Sequence, residues 1–235
     1  MNSGAPSPDL SLILPFRNQA DHLASLVRRY LDEFRPHPWS FELVLVPNAC
    51  TDESVRMCRE LEAAHPEVRS VENPHGGWGR SVRAGLSTAR GRYLCYTNSA
   101  RTEPAQIPAV FSLARDRAPV LVKTVRRSRG NLLREFGSLL YNLECRALFQ
   151  LRCRDVNGTP KVFPRELLDH VHLASDGDLL DVELLAKSRR LGWRVLEIPV
   201  EGWKRHGGKS STNLGSARRM LLGALEFWWK GLPDP

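Results

Sequence analysis

LSLILPFRNQADHLASLVRRYLDEF, residues 10–34, sets an unbroken apolar run directly ahead of a segment whose apolar residues recur at three- and four-residue spacing. The first part reads as a strand buried on both faces, the second as an amphipathic helix. Between them, Pro15-Phe16-Arg17-Asn18 offers no G-x-G-x-x-G, and the chain has no G-x-x-x-x-G-K-[ST]. Neither a dinucleotide fingerprint nor a P-loop explains the fold. The alternation continues outward through the strand candidates FELVLV (41–46), VRSVE (68–72), RYLCYT (92–97) and PVLVKTV (119–125), with helical patterns between them. Such βαβ units predict an α/β fold with a mostly parallel sheet flanked by helices. Beyond residue 130 follow a long helix (131–150), a short strand around Lys161, a helix over 178–192, the strand WRVLEIPV (193–200) and a last helix over 216–230.

The 235 residues suffice for one large α/β domain. An excess of Lys and Arg (34) over Asp and Glu (26) gives a net charge of +8. That balance suits a polyanionic partner: nucleotide phosphates, a lipid phosphate, an anionic membrane surface or nucleic acid. No nucleic-acid-binding module accompanies the charge, so nucleic acid is not expected. The five cysteines form no C-x-x-C pair and read as reduced thiols packed as small hydrophobes. MNSGAPSPDL lacks the features of a signal peptide, and no run approaches the roughly 18 apolar residues of a membrane span. A cytoplasmic chain is expected, with peripheral membrane attachment open.

In open α/β sheets ligands bind beyond the carboxyl ends of the strands, so the segments following the strands are the candidate site. NPHGGWGRSVRAGL (73–86) is a glycine-rich helix start carrying Arg80 and Arg83. Its backbone N–H groups can face a phosphate, or its glycines can serve a tight packing turn. Lys123, Arg126, Arg127, Arg129 and Arg134 fall in a stretch without acids. In the long helix, Arg134, Ser138, Asn142 and Arg146 share one face, and Leu132, Phe136, Leu140, Leu143 and Ala147 lie largely on another. The apolar face is expected to pack and the polar face to receive a phosphate or stay solvated. Asp178, Asp181 and Glu183 precede or open a helix, where carboxylates suit the positive end of its dipole. The last helix, with Met220, Leu221, Leu225 and Trp228 near one stripe and Arg218, Arg219 and Lys230 at its ends, reads as an interfacial membrane helix or a core cap.

Taken in order, LSLILPFRNQADHLASLV, FELVLVPNACTDES, GGWGRSVRAGLSTARGRYLCY and EIPVEGWKRHGGKSST resemble the glycosyltransferase family 2 catalytic domain, with its GT-A fold. Within the family the resemblance points to polyprenyl-phosphate sugar synthases typified by dolichyl-phosphate mannose synthase. It implies a flexible N-terminus (1–9), a transferase domain (10–215), and a C-terminal amphipathic helix and tail (216–235). It also implies a nucleotide-sugar donor held by Pro15, Phe16, Arg17, Asn18, Asn48, Asp52, Trp78, Gly79, Arg80, Asn98 and Ser99. Asn48 lies where the family ends its second strand in two aspartates; Asp52 is either a donor ligand or a helix N-terminal charge.

Asn98-Ser99-Ala100 stands in place of the family's Asp-x-Asp, whose carboxylates hold a divalent ion against the donor diphosphate. Mg²⁺ and Mn²⁺ favour anionic oxygen ligands, so no divalent cofactor is expected there. Arg101, Lys161, Arg205 and Lys209, with His206 in the same late loop, are expected to neutralise the diphosphate instead. Arg134 and Ser138 match an Arg and a Ser that grip the acceptor phosphate, and Lys123, Arg126 and Asp181 complete the acceptor side. The implied activity is transfer of a sugar from a nucleotide sugar to a polyprenyl phosphate or related acceptor. The alternative is a non-catalytic relative binding a phosphorylated ligand in the same cleft.

Overall fold

The computed structural model describes residues 6–100, 102–126, 132–200 and 214–231. Among these, the strands are β1 (Leu10–Phe16), β2 (Phe41–Pro47), β3 (Val68–Ser70), β4 (Tyr93–Tyr96), β5 (Val120–Arg126), β6 (Lys161–Pro164) and β7 (Arg194–Val200). They form one sheet in the order β3-β2-β1-β4-β6-β5-β7. Every pairing is parallel except the two made by β6, which runs antiparallel between β4 and β5. The helices are α1 (Leu23–Phe34), α2 (Ser54–Ala64), α3 (Trp78–Thr88), α4 (Ile107–Asp116), α5 (Leu132–Phe149), α6 (Leu167–His170), α7 (Leu180–Arg190) and α8 (Leu214–Trp229).

All seven residues of β1 are buried, as its continuous apolar run requires of a central strand covered on both faces. The two-residue period of the strand divides them. Leu10, Leu12, Leu14 and Phe16 join the core beneath α1 and α4, whereas Ile13 joins the core formed with α3, α5, α7 and α8. Helices on both faces of one sheet make a three-layer α/β/α domain.

The structure departs from the sequence reading in small elements. The third strand stops at Ser70 rather than Glu72, the helical pattern over 104–116 opens with a 3₁₀ turn at Pro104–Gln106, and the four-residue α6 is additional. Segments this short span barely one helical turn and leave no periodic signal. Cys58, Cys95, Cys145 and Cys153 are buried free thiols, and Cys50 is half-buried. Burial pushes the Cys58 thiol up to about 12.

One expectation is reversed on α5. Its polar face packs inward: Asn142 accepts from the Val156 N–H at 2.8 Å and donates to Ser138 Oγ at 3.2 Å. Phe136, Leu139, Leu140 and Leu143 are instead exposed. The loop before β6 has a buried backbone N–H that requires an acceptor, and a side-chain amide supplies one where leucine could not.

Candidate active site

β1 has β2 on one side and β4 on the other, so the chain reverses its direction of winding at this strand. A crevice opens outside the carboxyl ends of β1 and β4 at such a switch point. Of three described non-glycine residues with positive φ, two lie on its rim: Asn18 (φ 51°) after β1 and Ala49 (φ 47°) after β2. Ala in this left-handed region is held against its preference by about 1 kcal/mol. Here the Ala49 N–H bond to the Asn73 carbonyl, at 2.7 Å, fixes it.

Side chains lace these two loops together. Asn18 Oδ1 accepts from the Thr51 N–H at 2.8 Å, and Asn18 Nδ2 donates to Thr51 Oγ1 at 3.2 Å. Asp52 accepts from the N–H groups of Ala20 and Ser54, each at 3.1 Å. Burial pushes its carboxyl up, but these hydrogen bonds outweigh that, and the carboxyl is held below the usual carboxylate range. Asn48 Oδ1 accepts from Asn73 Nδ2 at 3.1 Å. Arg17 and Asn18 are exposed, whereas Phe16 lies in the core, so its ring is unavailable to a ligand. Pro15 is buried as well, and its carbonyl accepts from Ser99 Oγ at 3.4 Å.

The loop after β4 closes on itself. Asn98 Oδ1 accepts from the Ala100 N–H at 3.1 Å, and Thr97 and Thr102 share a hydroxyl–hydroxyl bond of 2.5 Å. Ser99 is buried and also donates toward Gln19 Oε1 at 3.3 Å, so it joins the two walls of the crevice from beneath. Its expected contact with donor is therefore corrected to a scaffold role.

The glycine-rich helix start serves packing. The N–H groups of Gly79 and Arg80 donate to the carbonyls of Gly177 (3.2 Å) and Asp176 (3.0 Å), which leaves these two unavailable to a phosphate. Arg80 pairs with Asp176 at 2.5 Å, and Arg83 pairs with the same carboxylate at 2.8 Å. The Arg80 guanidinium holds Asp176 below the usual carboxylate range, and Arg83 adds to the effect. Gly79 and Arg80 thus tie the start of α3 to the loop before α7. Trp78 is half-buried and packs edge-on against Tyr96, with centroids 6.3 Å apart.

A Cβ at Gly79 would lie 2.2 Å from the Ser175 carbonyl oxygen. Gly79→Ala would gain about 1 kcal/mol of helix propensity, but this backbone clash dominates. A net loss of about 1–3 kcal/mol is expected in urea unfolding.

Lys161 and Lys123, directly opposite on β6 and β5, are both fully buried. Lys161 Nζ meets Asp181 Oδ1 at 2.5 Å and sits 5.4 Å from the Tyr96 ring centroid, while the Tyr96 hydroxyl donates to the same carboxylate oxygen at 2.8 Å. Burial pulls the Lys161 ammonium down, and Asp181 opposes that. Lys123 donates to the carbonyls of Thr124 and Asp155 and to Glu197 Oε1 (2.9 Å). An ammonium has three donors, and those of Lys123 are all taken. Arg126 forms a two-point pair with buried Asp155, at 2.8 and 3.1 Å.

Lys123 is therefore corrected from an acceptor-phosphate ligand to an internal tie. Lys161 and Asp181 likewise form a buried ion pair below the crevice rather than exposed reagents. Ser138, expected on the acceptor, accepts from Asn142. Arg101, Arg205, His206 and Lys209 lie outside the described residues, as does the side chain of Arg134.

Three structurally central residues went unread in the sequence. Glu197 receives Lys123 and the N–H groups of Arg154 and Asp155, and a lone acid inside the apolar run VLEIPV was its available signal. Asp176 and Tyr96 had none, because their partners lie more than eighty residues away.

The described residues contain no cluster of three His, Cys, Asp or Glu able to hold a metal. At the β4 end the oxygens on offer are an amide and a buried hydroxyl, both already hydrogen-bonded.

Glycosyl transferase family 2 matches residues 11–171. An uncharacterised glycosyltransferase of Mycobacterium tuberculosis is 24% identical over 93% of this chain and 96% of its own length. Dodecaprenyl-phosphate galacturonate synthase of Rhizobium johnstonii is 24% identical over 95% of this chain and 68% of its own length. Among solved structures, glucosyl-3-phosphoglycerate synthase from Mycobacterium tuberculosis, bound to Mn²⁺, UDP and glucosyl-3-phosphoglycerate, matches with a TM-score of 0.72 at 18% identity, over 97% of this chain and 81% of that one.

That synthase holds Mn²⁺ in several complexes, which overturns the expectation that a divalent metal is excluded at Asn98-Ser99-Ala100. The lost carboxylates bear on protein ligands alone. Mg²⁺-type ions keep waters and take substrate phosphates as ligands, so few protein carboxylates are needed. With the fold, the switch-point crevice and the match over residues 11–171 in agreement, this chain belongs to glycosyl transferase family 2 and is a glycosyltransferase.

Proposed function

We propose that the chain transfers a sugar from a nucleoside-diphosphate sugar to a phosphorylated acceptor of the polyprenyl-phosphate type, with a divalent ion accompanying the donor diphosphate. The crevice at the β1/β4 switch point carries this reading. The dodecaprenyl-phosphate relative supports the acceptor class, and the synthase solved with UDP-glucose, Mn²⁺ and glycerol 3-phosphate supports the pairing of donor, ion and acceptor phosphate. Peripheral contact with a membrane fits such an acceptor. Among the described residues no helix is long and apolar enough to cross one.

In this reading Arg17, Asn18, Asn48 and Asp52 frame the base and ribose, with the backbone of Pro15 and Phe16 as the floor. Asn98 borders the diphosphate. In the same reading the charges of Arg101, Arg205 and Lys209 are assigned to the diphosphate and that of Arg134 to the acceptor phosphate, all on the sequence resemblance alone. An acceptor phosphate oxygen attacks the anomeric carbon, the carbon–oxygen bond to the diphosphate breaks, and the diphosphate departs with the electron pair, inverting the centre. Because the acceptor is already anionic at neutral pH, no strong general base is required. A divalent ion bound with the donor would supply charge neutralisation for the leaving diphosphate. Asn98 is the described residue that would border such an ion, with phosphate oxygens and water able to complete its shell.

The test is nucleoside-diphosphate release by the purified chain with Mn²⁺, a nucleotide sugar and either a polyprenyl phosphate or the free polyprenol. Release that requires the phosphate, and is lost in Arg205→Ala, is expected. Equal release with both acceptors, or an unaffected variant, would contradict the proposal.

A further inference from the structure

Large exposed apolar side chains are concentrated in one region among the described residues. Phe136 (67% exposed), Leu139, Leu140 and Leu143 lie on α5, and Leu222, Leu225, Trp228 and Trp229 (82% exposed) lie on α8. One more, Leu191, immediately follows α7. The helices α5 and α8 are neighbours, with Phe149 and Phe227 ring centroids 6.0 Å apart. They follow β5 and β7, parallel strands whose carboxyl ends lie at the edge of the sheet that carries the candidate site.

Basic residues surround this face: Arg218, Arg219 and Lys230 on or beside α8, and Arg189 and Arg190 at the end of α7. A cavity of about 230 Å³ lies between the helix ends, lined by Arg189, Arg190, Gln150 and Trp228 among others. Arg189 reaches Gln150 at 2.6 Å across it. The acids near it are Glu135, Glu144, Asp178, which feels the charge of Arg219, and Glu226, which is paired with Lys230 at 2.5 Å.

We propose that the α5–α8 face docks on an anionic bilayer surface, with its leucines and tryptophans at the acyl boundary and the Arg189–Arg190 cavity taking a lipid headgroup phosphate. Tryptophan with flanking cations is the composition suited to a membrane interface, where apolar burial and attraction to anionic lipid act together. A second copy of the chain fits less well, because a two-fold interface would bring the same basic rims together. The inference rests on the acceptor reading above and deepens it: docking this way brings the sheet edge carrying the site toward the membrane, where a lipid phosphate lies.

The experiment is vesicle flotation of the full chain with phosphatidylcholine alone and with added phosphatidylglycerol, beside the exposed-site variants Leu140→Ser/Trp229→Ser and Arg189→Ala/Arg190→Ala. Circular dichroism and nucleotide-sugar binding without vesicles verify that each variant is folded. Flotation that needs phosphatidylglycerol is expected. It should weaken by roughly tenfold or more in the apolar double variant and by roughly tenfold in the arginine double variant. A wild-type chain that never floats, or variants that float equally well, would overturn the proposal. A lipid-free dimer that the apolar variant dissociates would overturn it in favour of a second copy. Retained flotation without transfer to polyprenyl phosphate would support the docking face while removing the acceptor reading.

Discussion

Asp181→Ala is expected to destabilise the fold by about 3–5 kcal/mol, because it strands the Lys161 ammonium in a fully buried site. The Tyr96 hydroxyl loses its acceptor in the same step. Burial already depresses the affinity of Lys161 for its proton, and removal of the carboxylate depresses it further. A lysine with a lowered folded-state pKa binds fewer protons folded than unfolded, so stability rises with pH. The deficit of the variant should be largest at neutral pH and shrink toward the ordinary lysine value of 10.5. Urea unfolding at several pH values measures this. Lys161→Met/Asp181→Leu should recover most of the loss, since a buried pair replaced by apolar groups of similar volume is often near neutral. A variant with wild-type stability at neutral pH would show that the pair is not buried as described.

Lys123→Met is expected to cost about 2–3 kcal/mol, somewhat less than the loss at Asp181. Three acceptors lose the Lys123 donor, among them Glu197 and the Asp155 carbonyl, which keeps the Gly158 N–H. Two features soften the loss. The Glu197 side chain is 16% exposed, and it keeps the N–H groups of Arg154 and Asp155 as donors. The damage should centre on the loop before β6, which Lys123, Glu197 and Arg126 hold against the β5–β7 edge. Hydrogen exchange should show faster exchange at Val156 and Gly158 than in the wild type, alongside the lower unfolding free energy. Unchanged exchange there would contradict the tie.

The sheet was legible because its signal is local. An apolar run and the periodic helix after it are readable within about twenty-five residues, as in 10–34. The antiparallel insertion of β6 depends on contacts with β4, some seventy residues earlier, and no local pattern carries it. The crevice was legible through strand ends, yet the direction of individual side chains was not. Lysines after strands read as phosphate ligands, and Lys123 and Lys161 proved to be internal ties because acids distant in sequence, Glu197 and Asp181, meet them in the core. At the glycine-rich start of α3 the sequence left a phosphate cradle and a packing turn open, and the structure takes the packing turn: its N–H groups and arginines find partners in the 174–177 loop. On α5 the helical period gave the two faces correctly, but which face turns inward was decided by the Val156 N–H, a tertiary requirement.

The most direct test of the donor site is a thermal-shift screen of the purified chain against UDP-, GDP-, CMP- and dTDP-sugars, each with Mn²⁺ and with EDTA. Binding to the folded state raises the melting temperature by mass action. Stabilisation by one nucleoside-diphosphate sugar, larger with Mn²⁺ than with EDTA, is the expected result. No stabilisation by any of the four, with or without the ion, would contradict a nucleotide-sugar site at the β1/β4 crevice.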